Sequence, residues 1–74
     1  MISVEIVREY KDDTDREERI GSYSFLSLPL KGDEINDPEE AFARLVVDRV
    51  FWQPVFDDGR LAFYRPTIFV RTTV

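Results

Sequence analysis

The chain has 74 residues, 15 of them acidic and 10 basic, for a formal net charge of −5, and it contains neither cysteine nor histidine. That length suits one domain, 1–74, with a thin core, because a chain of this size buries only about 60% of the surface its unfolded form exposes. Without cysteine or histidine there are no disulfides, no zinc site of the usual kind and no histidine- or cysteine-based nucleophile, so idealised packing or self-association must supply stability.

The charge is unevenly placed. Residues 1–40 carry twelve acids against five bases, and residues 41–74 carry three acids against five bases. A net negative chain repels polyphosphate at long range, so a nucleic-acid role would need a local basic patch. Eight of the ten bases are arginine, which suits fixed bidentate or stacking contacts. The opening residues, Met1 to Glu5, carry an acid where a secretory signal needs a positive end. No apolar run exceeds four residues, far short of the roughly 20 of a spanning helix. A cytoplasmic location without membrane contact is therefore expected.

Ile2, Val4 and Ile6 alternate with Ser3 and Glu5, which predicts a half-buried strand from Ile2 to Tyr10. From Lys11 to Arg19 eight of nine residues are charged, predicting an exposed loop. A second strand is expected over Ile20–Leu28, ended by Pro29 and the Lys31-Gly32-Asp33 turn. Asp37, Pro38 and Glu40 then have the spacing of a capping box, which predicts a short helix from Pro38 to about Arg44. Strand formers from Leu45 to Phe56, the Asp57-Asp58-Gly59 turn and a return from Leu61 to Thr73 predict a long hairpin.

Two registers fit that hairpin. An Asp58-Gly59 loop pairs Val47 with Val70 and Arg49 with Ile68, whereas a three-residue loop pairs Val46 with Val70 and Asp48 with Ile68. Each register turns one charge inward. In both, Phe63, Arg65, Phe69 and Arg71 share the outer face of the last strand. That face, together with Trp52, is the candidate binding surface. Three readings apply to it: cover by the first strand or the helix, then contact with a protein, and then stacking and phosphate pairing with single-stranded nucleic acid. In the two-residue register Trp52 stands opposite Arg65, at cation–π reach.

The acids give weaker signals. Asp12, Asp13, Asp15, Glu17 and Glu18 suggest calcium, but starting an EF-hand loop at Asp13 puts Glu18 where glycine is required and Ser24 where a bidentate acid is required. The segment reads as a solvated loop. Asp33, Glu34, Asp37, Glu39 and Glu40 have the makings of a magnesium site or an acid–base pair, and equally the makings of a helix N-terminus, where acids are favoured. Ser22, Ser24 and Ser27 lack a neighbouring base, and Gly21, Gly32 and Gly59 form no phosphate-cradling loop. No catalytic residue, metal or cofactor is assigned.

Leu28-Pro29-x-x-Gly32-Asp33-x-Ile35, followed by Val47-x-x-Val50-x-Trp52, resembles a pattern in small uncharacterised bacterial and phage-associated proteins with SH3-like β-barrels. There the Gly-Asp segment leads through a short hairpin into the valine strand, whereas here Asp37 to Arg44 intervenes. The resemblance implies an SH3-like barrel and a binding or assembly module, with no residue roles carried over. The expected fold is mainly β: an SH3-like barrel or bent antiparallel sheet of four to five strands with one short helix. The expected function is a non-catalytic protein-interaction or assembly module, self-association included. Single-stranded nucleic-acid binding is the alternative, and a divalent-metal carboxylate hydrolase using Asp33 or Asp37 is a third.

Overall fold

The computed structural model describes residues 1–10, 16–40 and 43–73. Five strands, β1 (Ile2–Glu9), β2 (Glu17–Phe25), β3 (Glu34–Asn36), β4 (Arg44–Asp57) and β5 (Arg60–Thr72), form one mixed sheet in the order β2-β1-β5-β4-β3. All neighbours are antiparallel except β1 and β5, which run parallel at the centre of the sheet. The sheet does not close: β2 and β3 are its free edges, so the barrel form expected from the sequence is replaced by an open sheet.

One face of the three central strands is the core. Strand alternation brings Val4 and Ile6 of β1, Ile68 and Val70 of β5, and Leu45 and Val47 of β4 to the same side, where each is 0–1% exposed. Ile2, Ile20, Phe25, Leu28, Ile35 and Val50 pack around them. The segment from Leu26 to Asp33 leads from the β2 edge to the β3 edge and buries Pro29. Its far end is fastened by Gly32 N–H to Val47 C=O (2.8 Å) and Val47 N–H to Asp33 C=O (2.9 Å). Asp33 also accepts from Leu30 N–H through its side chain (2.8 Å), and Gly32, at φ 94°, supplies the left-handed residue the turn needs.

β2 begins earlier and ends earlier than expected. It opens at Glu17 because Glu9, Arg8 and Val7 of β1 give Glu17, Glu18 and Arg19 backbone partners. It stops at Phe25 because that residue pairs with Ile2, where β1 starts. The charges of Glu17–Arg19 cost little on an edge strand, and they blunt that edge against pairing with another chain. Of the predicted charged loop, residues 11–15 lie outside the described residues.

The helix predicted from Pro38 to Arg44 is absent from the described residues of that span; Ala41 and Phe42 lie outside them. Asp37 N–H donates instead to Ala43 C=O (3.0 Å), and Ala43 N–H to Glu40 C=O (3.0 Å), which closes a hairpin loop between β3 and β4. Asp37 does accept from the Glu39 backbone N–H (2.9 Å), as a capping residue would. Here that contact makes a local turn, because the other carboxylate oxygen is held by Arg8 in a part-buried ion pair. Arg8 follows Ile6 on the core side of β1 and also donates to the Tyr10 hydroxyl (3.3 Å), which in turn donates to Glu18 (3.1 Å). One polar chain thus links β1, β2 and the β3–β4 loop.

The β4–β5 hairpin adopts neither predicted register throughout. Its loop is Asp58-Gly59, with φ values of 53° and 76°, the paired positive angles of a type I′ turn. Two bulges then interrupt the ladder, at Ala62 of β5 and at Asp48 of β4, where the residue register shifts by one. Between the bulges the register is shifted by one, so Arg49 pairs with Phe69 and Val50 with Ile68. The shift resolves the conflict in the sequence: Val50 faces the core in place of the charge that either uninterrupted register would put there.

Candidate functional site

β1 accompanies β5 only from Thr67 to Val70, and β3 accompanies β4 only from Arg44 to Val46. Beyond those limits β4 and β5 pair with each other alone, so Phe51–Pro66 extends past the sheet as a two-stranded ribbon. Six of the ten exposed large hydrophobic residues among the described ones lie on it: Phe51, Trp52, Phe56, Leu61, Phe63 and Tyr64, each 49–61% exposed. An apolar concentration of this kind marks an interaction surface more often than chance scatter does.

The ribbon has two unlike faces. Trp52 pairs with Pro66 and Pro54 with Tyr64, and alternation places these four on the side that carries Val50 and Ile68, so the core face runs outward, buried as far as Pro66 and exposed at Trp52, Pro54 and Tyr64. Gln53 pairs with Arg65 and Val55 with Phe63, which places these four, with Phe51, on the reverse side. Pro54 breaks neither strand, since the outer edge of β4 has no partner there.

The predicted face of Phe63, Arg65, Phe69 and Arg71 is therefore divided by depth. Phe69 is 8% exposed beneath the Arg49 guanidinium, which lies 4.0 Å from its ring centroid and also reaches Glu9 (3.4 Å). Arg71 pairs with Asp48 at 3.8 Å. Phe63 and Arg65 stand farther out on the ribbon, where Arg65 makes no ion pair with any described residue. Trp52 is on the opposite face from Arg65, because the bulge at Ala62 moves its partner to Pro66; the predicted cation–π pair is not formed. Sequence reasoning missed Phe51, Phe56, Leu61 and Tyr64. Their signal was the mismatch between two long strands and the much shorter partners flanking them. Phe63→Ser is expected to change stability by no more than about 0.5 kcal/mol, as at other surface sites, measured by urea unfolding; a loss several times larger would place Phe63 in the core.

The carboxylates do not converge. Asp33 closes the Leu30–Asp33 turn, Asp37 is taken by Arg8 and the Glu39 N–H, and Glu34 lies 3.7 Å from Arg44. Among the described residues no three acids stand as a metal-binding group; Asp12, Asp13 and Asp15 lie outside them. No described helix is long and apolar enough to cross a membrane. Comparison with protein-family models, curated proteins and solved structures finds no match.

Proposed function

We propose that this protein is a non-catalytic interaction or assembly module of the cytoplasm that docks on protein through the Phe51–Pro66 ribbon. The observation that carries the reading is the half-exposure of five aromatic rings on one projecting element. Each ring leaves on the order of 100 Å² still to be buried, and together they supply a large part of the roughly 800 Å² per partner of a specific interface. The SH3-like pattern in Leu28–Ile35 and Val47–Trp52 supports a binding role in the same sense. A nucleic-acid partner is the weaker reading, because the ribbon's Asp57 and Asp58 offset its Arg60 and Arg65 and leave no basic footprint.

The test is a photo-crosslinking amino acid at Phe56, with Ser22 on β2 as control, in the native host. The expected result is a covalent protein adduct from position 56 and none from position 22. Equal labelling from both positions, or nuclease-sensitive adducts only, overturns the reading.

A further inference from the structure

Taking the docking role of the ribbon as given, we infer that its partner is an amphipathic helix of another protein with a basic polar side, laid with its apolar stripe along the face that carries Trp52. Alternation along β4 adds Phe56 to that face beyond Pro54, and Phe56 pairs with Leu61. Trp52, Pro54 and Phe56 thus stand beside Pro66, Tyr64 and Leu61. None of the six is charged, whereas the reverse face ends on the Asp57–Arg60 pair. Trp52, Phe56, Leu61 and Tyr64 are each about half exposed.

Backbone, size and charge select that occupant. Within an antiparallel pair a proline fits only where its nitrogen points away from the partner strand, so Pro54 and Pro66 turn theirs to the two outer edges of the ribbon. A strand added along β4 would find a donor missing in the middle of the exposed span, and one added along β5 would find it missing at the root, with the Ala62 bulge farther out. The partner is therefore gripped by side chains on the face and not by edge backbone. Trp52 to Phe56 spans about 13 Å along a platform two strands wide. A helix about 10 Å across covers both strands and that length in about nine residues. The four half-exposed side chains leave on the order of 400 Å² to bury, about half of what each side of a standard interface contributes, which suits one short element. The face itself is uncharged and the chain carries −5, so lysines and arginines beside the apolar stripe are drawn toward it. A second copy brings the same negative charge and has no helix among its described residues.

Trp52 is the only tryptophan in the chain, so its fluorescence reports cover of this face directly. The probe is a synthetic peptide of about 14 leucines and lysines with leucine at helical spacing, titrated into the purified full chain. The expected result is a saturable blue shift, with binding at least about tenfold tighter than for the same composition with leucine at every second position. Phe56→Ser and Tyr64→Ser should each weaken it about tenfold with the circular dichroism unchanged, and Phe63→Ser, on the reverse face, should leave it within about twofold. The inference is overturned if the alternating peptide binds as tightly, if glutamate in place of lysine makes no difference, or if Phe63→Ser costs as much as Phe56→Ser. It is overturned equally if neutral phosphatidylcholine vesicles, or simply more of the chain itself, produce the blue shift without the peptide. If the helical peptide fails while the Phe56 crosslinker still captures a protein in the host, the docking role stands and the helix alone falls. If neither binds, both fall.

Discussion

Ile68→Ala is expected to abolish cooperative unfolding at room temperature. Ile68 is 0% exposed on β5, the middle strand of the sheet, with Ile6 beside it on β1 and Val50 beside it on β4. Both neighbours are held by backbone ladders, so the sheet has little freedom to close on the space left. Truncations of this kind cost about 2–5 kcal/mol, and a core of six fully buried hydrophobic residues places the whole domain near the low end of the usual 5–15 kcal/mol. Ile68→Val, at about 1 kcal/mol, should keep the transition. Urea titration followed by far-ultraviolet circular dichroism distinguishes the two, and a near-normal midpoint for Ile68→Ala would show that the centre of the core lies elsewhere.

Asp37→Ala is expected to cost about 3 kcal/mol, through the charge it strands. Asp37 is 3% exposed, and its carboxylate serves Arg8 on one oxygen and the Glu39 N–H on the other. Burial works against the Arg8 charge, but the Tyr10 hydrogen bond and the Asp37 charge outweigh it and raise the Arg8 pKa. A raised pKa in the folded state means that the Arg8 contribution is complete below the unfolded value and is lost only as pH climbs through the strongly alkaline range. No ordinary buffer neutralises the guanidinium once its partner is removed. Adding Arg8→Met to Asp37→Ala should then recover much of the loss, because an apolar side chain suits that end of the core. Without recovery, the cost belongs to the Asp37 turn and not to the stranded charge.

The sequence exposed the features whose cause is local. Period-two alternation located β1, and Asp58-Gly59 located the hairpin turn, since both follow from neighbouring residues. The helix at Pro38 failed for a related reason: the Asp-Pro-Glu-Glu signal belongs to a turn as much as to a helix, and the choice was made by Arg8, 29 residues away in the chain. The hairpin register failed because two bulges change the pairing, and their cause is the burial of Val50, a tertiary fact. The ribbon's faces followed from that register, so Trp52 and Phe63 were assigned to one surface when they occupy two. Depth misled as well, since Phe69 and Phe63 have the same parity on β5 and differ only in what covers them.

The parallel pairing of β1 with β5 bears on the order in which the protein can be assembled. Glu5 meets Thr67 and Arg8 meets Val70, nearly the whole sequence apart, whereas the β1–β2 and β4–β5 contacts arise within hairpins. The two hairpins can zip early at small entropic cost, but the seam between them closes a long loop before it returns any energy. Val4 and Ile6 then wait, half covered, for the last strand in chain order. During synthesis that interval leaves the apolar side of the first hairpin open to any passing surface, including the same hairpin on a neighbouring nascent chain.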